Sequence, residues 1–472
     1  MEREFTEDEK MSEERVRSQP RENKMGVMPV GRLLAGMAVP MMISMLVQAF
    51  YNVVDSIFVA KISENALNAV SLAFPLQNLM IAVAGGTAVG MNALLSRALG
   101  AKDEKTVSSA ANTGIILTLC SFGLFALIGI FLSRPFFEVQ TNVAEIVDYG
   151  TSYATICLGL SIGLFSQFCF ERLLQSTGKT SLAMCTQLLG AVINIILDPI
   201  LIFGYFGFPR MEVAGAAAAT VAGQIIAAIA AILVNLKYNH EIHLRLGKVR
   251  WSTAAAKEIY RVGFPSIIMQ CIGSVMTFGM NRILISFTTT ATAVFGAYFK
   301  LQSFIFMPIF GLNNGMVPII AYNYGARRPE RVKKTIRLTI LTAVSIMTVG
   351  FIAFELIPGI LLSFFSASDH MLSIGIPALR IIAFHFLLAG FNIIAGSVCQ
   401  AIGNPVYSLI VSVCRQLLVL LPAAWILSRF GQLDLVWLSF PVSEVAALIL
   451  SAVFLKKTMK MADKAMEAEG RI

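Results

Sequence analysis

Long apolar runs, separated by short polar stretches, follow one another along almost the whole chain. They fall at roughly 34–60, 68–95, 109–133, 147–170, 181–204, 213–236, 259–285, 293–322, 338–357, 373–398, 406–428 and 435–455. About 20 apolar residues suffice for a helix to cross a bilayer, so the pattern predicts twelve transmembrane helices and no separate soluble domain.

Composition agrees. The 472 residues are 56% hydrophobic and 14% charged, against about 45–50% apolar and about 25% charged in soluble domains. The formal charge of +9 would suggest nucleic acid in a soluble protein. Here it reads as topology, because Lys and Arg collect on cytoplasmic loops, and no nucleic-acid partner is expected. With twelve spans, 29 of the 37 basic residues fall on the side of the termini and five (Lys61, Arg134, Arg210, Arg282, Arg429) on the other. Both termini are therefore expected in the cytoplasm. Residues 1–31 carry eight acids and six bases, unlike the basic start of a signal peptide. The seven cysteines lie inside apolar runs without Cys-x-x-Cys spacing, which favours small buried side chains over disulfide or metal chemistry.

The two halves repeat each other at a shift of 225 positions. Pro40 falls on Pro265, Leu76-Gln77 on Leu301-Gln302, Gly86 on Gly311, Gly90-Met91 on Gly315-Met316, Gly100-Ala101 on Gly325-Ala326, and Gln175 with Gly178 on Gln400 with Gly403. Towards the end of the half the shift falls to 223, placing Pro199 on Pro422, Val213 on Val436 and Thr220 on Ser443. The expected organisation is an all-α polytopic protein: a cytoplasmic tail (1–33), a six-helix lobe (34–236), a cytoplasmic linker (237–258), a second six-helix lobe (259–455) and a cytoplasmic tail (456–472). Six helices separate the copies, so the repeats are parallel and related by an axis along the membrane normal. Two bundles facing each other across a central cavity, rocking in alternating access, are expected.

Ionisable groups inside a membrane cost about 2.5–3.5 kcal/mol each on insertion scales, so the few present call for a reason. Among the acids, Asp55, Asp198 and Glu444 lie well inside apolar segments; Glu171 and Glu355 lie near segment ends, where snorkelling to the interface is expected. Gln48, Asn52 and Asp55 are spaced i, i+4, i+7 and read as one polar face of the first helix. Asn194 precedes Asp198 by one turn in the fifth segment. Counted from the outer ends of their segments, Asp55 and Asp198 lie roughly 8–9 Å deep and Thr220 about 7 residues from the same side, so the three can share one layer. Two carboxylates, an amide oxygen and a hydroxyl suit a small hard cation such as Na⁺, and equally a proton shared between repelling acids. The second half dispenses with both acids: Met280 stands at the position of Asp55, and Ala423 or Leu421 at that of Asp198. Pro40, about two turns into the first segment, reads as a hinge or a fixed packing kink. Gln77, Lys300, Gln302 and Met280 are candidates for a substrate cavity, His385 reads as a packed or pore-lining histidine, and Glu444 with Arg415-Gln416 as an intramembrane ion pair. The 22 Met and 33 Phe suit an adaptable apolar cavity. No catalytic residue and no resident cofactor is expected.

The stretches YNVVDSIFVA, ALGAKDEK, QSTGKTSL, LLGAVINIILDPILIFG with VAGAAAATV, AYNYGARRPERVKK, QAIGNPVYS and VWLSFPVSE resemble the multidrug and toxic compound extrusion (MATE) family. The likeness is strongest to its DinF-like branch and to staphylococcal-type multidrug pumps. By that resemblance Asp55, Asn194, Asp198 and Thr220 match positions that bind Na⁺ or exchange protons, and Pro40 matches a proline associated with bending of the first helix. The other main bacterial branch places acids on the seventh and tenth helices, and this chain has none there. The resemblance implies a monomeric exporter of small organic, often cationic and amphipathic compounds in the bacterial inner membrane, driven by inward Na⁺ or H⁺. The alternatives are a flippase for lipid-linked oligosaccharide or polysaccharide, which would want a basic cavity, and a polytopic membrane enzyme, which would want a clustered catalytic set.

Overall fold

In a computed structural model, residues 23–242, 250–365 and 367–468 are described. Among them all regular structure is helical. A short helix α1 (Lys24–Val27) precedes the first lobe, which comprises α2 (Val30–Ala60), α3 (Glu64–Gly100), α4 (Glu104–Phe131), α5 (Ser133–Gln140), α6 (Ala144–Gly159), α7 (Ile162–Ser176), α8 (Thr180–Phe203) and α9 (Glu212–Tyr238). The second lobe repeats this order as α10 (Thr253–Ile285), α11 (Thr289–Gly325), α12 (Pro329–Leu356), α13 (Pro358–Ser363), α14 (Asp369–Ala383), α15 (Phe386–Ile402), α16 (Pro405–Val413) and α17 (Leu421–Ser428). It closes with α18 (Leu433–Trp437) and α19 (Ser439–Ala468). Ten helical stretches are long and apolar enough to cross a membrane, and the bent pairs α6/α7 (41°) and α14/α15 (48°) bring the number to twelve when each pair is one span.

The repeat is visible in the helix boundaries. The starts of α3, α4, α5, α6 and α8 lie 225 residues before those of α11, α12, α13, α14 and α16, and both lobes bend their fourth span at the same place. The lower shift applies from Pro422 in α17 onward, and α18 follows α17 more closely than α9 follows α8. α2 and α10 run unbroken through Pro40 and Pro265.

Several helices begin before the apolar runs do, because their first turns are polar. The Ser63 hydroxyl accepts from the Ala66 amide (3.0 Å), the Ser252 hydroxyl from Ala255 (3.3 Å) and the Asp103 carboxylate from Thr106 (3.1 Å). Such caps satisfy amides that hydrophobicity does not register. The last helix likewise continues to Ala468, past the expected end at 455, by burying Ala462 and Met466 and pairing Asp463 with Lys333 at 3.1 Å. Of the expected linker 237–258, residues 237–238 end α9, 253–258 begin α10, and 243–249 lie outside the described residues. Most of the two expected tails, residues 1–22 and 469–472, also lies outside them.

The duplicated glycines bring the lobes together in the half of the bundle nearest the described chain ends, and past it Asn78 donates to Ser274 at 3.0 Å and the Phe50 and Phe304 rings meet at 5.3 Å. A Cβ at Gly90 would lie 2.0 Å from the Ile259 carbonyl oxygen, and one at Gly86 2.8 Å from that of Gly263. Their repeat mates Gly315 and Gly311 press on the backbone of Ala38 and of Met41 and Met42 in α2. Gly100 and Gly325 complete the pattern, facing the carbonyls of Tyr322 and Arg97. Close backbone approach through small residues is how membrane helices gain packing energy where lipid offers no hydrophobic drive. The segment around α1 spans both lobes on this side. Its Asn23 amide donates to the Thr177 carbonyl and to Glu241, while the Met25 carbonyl accepts from Asn323 (3.0 Å) and Arg331 (2.9 Å).

A candidate cation site in the first lobe

α2, α8 and α9 pack against one another, which brings three of the predicted residues into direct contact. The Asn194 amide donates to the Thr220 hydroxyl at 3.3 Å and to Asp198 at 3.5 Å. Asp198 is fully buried, and Asp55 on α2 lies within electrostatic range of it. Asp55 Oδ1, Asp198 Oδ2 and the Asn194 Oδ1 are buried without a hydrogen-bond donor. Buried acceptors lacking donors are costly; the oxygens of Asn194, Asp198 and Thr220, with Asp55 on the adjoining helix, offer a shell of the hard-donor kind that suits a proton or a small hard cation.

A cavity of about 120 Å³ leads towards this shell. Ser44, Gln48 and Tyr51 line it from α2, Gln187 and Asn194 from α8, and Thr220 from α9. Asp55 and Asp198 each lie one helical turn beyond the last lining residue of their own helix.

The inward face of α2 is Ser44, Gln48, Tyr51 and Asp55, and here the expectation for Asn52 is corrected: its side chain is exposed. At 100° per residue Asn52 stands well to one side of the line through Gln48 and Asp55, whereas Tyr51 falls on the buried flank.

Glu171 also departs from expectation. It does not snorkel; it is 4% exposed and lines the same cavity. Its carboxylate accepts from Gln187 (2.5 Å), Gln167 (2.9 Å) and Thr186 (3.4 Å), and Gln187 in turn accepts from the Ser44 hydroxyl. The following Arg172 reaches Gln175 at 2.6 Å and Asn314 of the second lobe at 3.1 Å. The signal available in the sequence was that α7 continues through Leu173 and Leu174, both fully buried, before it ends.

A sequence model of the MatE family matches residues 40–200 and 265–426, two stretches that reproduce the internal repeat. The chain belongs to the MatE family. Its relatives include a protein of Shewanella oneidensis named as an FAD transporter, 26% identical over 429 residues (88% of this chain, 92% of that one). Another is the multidrug export protein MepA of Staphylococcus saprophyticus, 27% identical over 436 residues (92% and 95%). An outward-facing MATE multidrug transporter of the MOP superfamily superposes with a TM-score of 0.87 at 26% identity, covering 94% of this chain and 99% of that one. This MatE protein is thus a membrane transporter rather than an enzyme, with the twelve-helix MATE fold.

The residues suggested for a substrate cavity are scattered within the MatE fold. Gln77 donates to the Tyr153 hydroxyl at 3.1 Å. Met280 is fully buried in the core of the second lobe, and Lys300 is exposed with its ammonium 6.0 Å above the Phe365 ring. The burial of Met280 is a correction to a cavity role: helical registry turns it into the bundle among apolar side chains. Gln302 alone of the four lines a cavity described here, a second one of about 70 Å³ inside the second lobe.

Proposed function

We propose that the protein is a secondary active exporter of organic, often cationic and amphipathic compounds from the bacterial cytoplasm, exchanging them for inward Na⁺ or H⁺ by alternating access. In this reading both termini are cytoplasmic, and the glycine-lined contact between the lobes is the cytoplasmic gate in its closed state. The observation that carries it is the hydrogen-bonded set Asn194, Asp198 and Thr220, with Asp55 on the adjoining α2 and three buried oxygens lacking donors. A cation or proton entering there neutralises the carboxylates. The two lobe arrangements then differ in stability by their difference in affinity for that ion. One charge moving inward through 100 mV supplies about 2.3 kcal/mol, roughly a fifty-fold gradient for a neutral substrate at one ion per cycle.

The flippase reading finds less support. Of the bases inside spans, Arg172 lines the first cavity beside Glu171 and is held by Gln175 and Asn314, Arg380 reaches the Glu355 carbonyl at 3.2 Å, and Arg415 pairs with Glu444 at 2.8 Å.

The test is ethidium efflux from vesicles under separately imposed Na⁺ and pH gradients, for the wild type and for Asp55→Asn and Asp198→Asn. Export driven by one gradient and abolished in both variants is expected; wild-type rates in folded variants would sink the coupling role.

A further inference from the structure

The second cavity has a different chemistry from the first. α10, α11, the last span and the turn at His385 surround it, and one stretch of its wall, Cys414–Leu420, is wound as a π-helix between α16 and α17. Such wide turns recur at functional sites. This one carries Arg415 and Gln416 to the cavity, with Tyr298, Gln302, His385 and Glu444.

The polar groups here are unequally used. Both oxygens of Glu444 already hold a donor, Arg415 at 2.8 Å and Asn392 at 2.5 Å, and its side chain is 4% exposed. Arg415 makes this single hydrogen bond among the described residues, and its side chain is 26% exposed. A guanidinium keeps its charge and has five N–H donors, so Arg415 brings donors without a protein partner to the lining of the cavity. The His385 Nδ1 donates to the Ile382 carbonyl at 2.6 Å, and its Nε2 meets the Tyr298 hydroxyl at 3.4 Å. Gln302 makes no side-chain hydrogen bond among the described residues and adds a free amide. The rest of the wall includes Phe299, Phe306 and Phe440.

A purely structural ion pair has little reason to stand here. A buried pair is often no more stabilising than apolar residues of the same volume. The first lobe also does without it: Gly190 occupies the repeat position of Arg415, and Ala219 or Val221 that of Glu444.

We propose that this cavity is an anion subsite, in which Arg415 takes the carboxylate or phosphate of an aromatic, amphipathic compound while the phenyl rings hold its body. Glu444 and Asn392 fix the guanidinium so that its remaining N–H groups point at the ligand. The two lobes then have opposite preferences, acceptors awaiting a cation in the first and donors awaiting an anion in the second. Zwitterionic aromatics fit this pairing better than permanent cations do. The inference names a substrate class for the export reading and rests on it, but its test needs no transport.

The experiment measures equilibrium binding to the purified full chain in nanodiscs by fluorescence anisotropy. Two matched probe pairs are used: rhodamine B with its ethyl ester for the carboxylate, and riboflavin 5′-phosphate with riboflavin for the phosphate. The wild type should bind the anionic member of at least one pair more tightly, and that pair identifies the anion. Arg415→Gln should lower this preference by about tenfold or more, as expected for a lost charged hydrogen bond. Arg415→Gln with Glu444→Gln, which avoids an unpaired buried carboxylate, should lower it equally, and Arg415→Lys should retain part of it. No anion preference in the wild type, or equal weakening of both members of a pair in the variants, would overturn the proposal. A chain that shows the preference but moves no compound would refute export and leave the subsite standing.

Discussion

Gly90 of α3 faces the carbonyl oxygen of Ile259 in α10 so closely that a methyl group on Gly90 would lie 2.0 Å from that oxygen. Backbone, unlike a flexible side chain, cannot swing aside, so Gly90→Ala must push the lobes apart where they meet. Overpacking of this kind typically costs about 1–3 kcal/mol. The variant should lose thermal stability and show longer spin-label distances between α3 and α10 by double electron–electron resonance. Gly36→Ala is the control, since nothing lies within 4 Å of its added carbon; a helical glycine replaced in open space should be neutral or slightly stabilising.

Why the fold was readable and the site only partly so follows from these same residues. Glycines repeated at one offset exposed the duplication, and a helix long enough to span needs only its apolar run. Contacts between runs are another matter. That α2, α8 and α9 adjoin, so that Asn194 touches both Thr220 and Asp198, is a tertiary fact which equal depth could only permit. Asn52 was misplaced because i, i+4, i+7 spacing defines a stripe without its centre, and the neighbouring helices decide which edge of the stripe is buried. Glu171 escaped because charge near the end of an apolar run reads as interfacial until its partners Gln167, Thr186 and Gln187 are seen in space.

Those partners make Glu171 sensitive to a change that preserves its size. Glu171→Gln replaces one acceptor oxygen with a donor facing the amide of Gln187 or Gln167. One buried donor then loses its acceptor, at about 1–3 kcal/mol. We expect lower thermal stability together with weaker binding of a cationic dye such as ethidium, because the cavity loses a carboxyl group as well. Unchanged dye affinity would confine Glu171 to packing.

The strap before α2 offers a test of how the lobes are held together. Met25 is fully buried, and its carbonyl is held by Asn323 and Arg331 of the second lobe, while Asn23 reaches Thr177 and Glu241 of the first. Truncating such a methionine costs about 2–5 kcal/mol. Met25→Ala should therefore loosen the strap and raise protease cleavage near residue 28, without altering the oxygen set around Asp198. Protection equal to the wild type would mean that the strap contributes little to closure.

Outside the membrane, Asp103 caps α4 in the loop after α3, and its stability contribution should depend on pH in a definite direction. The Thr106 hydroxyl donates to its carboxylate at 2.5 Å and the Thr106 amide at 3.1 Å. These bonds hold its pKa below the ordinary value of 3.8, because they favour the charged form. A carboxyl whose folded pKa is depressed stabilises the fold above its unfolded pKa and loses that contribution as pH falls through the folded value. Asp103→Ala should therefore cost about 0.5–1 kcal/mol at neutral pH, towards the low end because the group is exposed and solvent-screened. In acid below the usual aspartate value the variant and the wild type should converge. Asp103→Asn keeps an acceptor oxygen at the helix start without a titrating charge, so its difference from the wild type should be smaller at neutral pH. Melting curves for the three proteins across that range decide the matter, and a gap between wild type and Asp103→Ala that stays constant into acid would assign the cap no charge-dependent share.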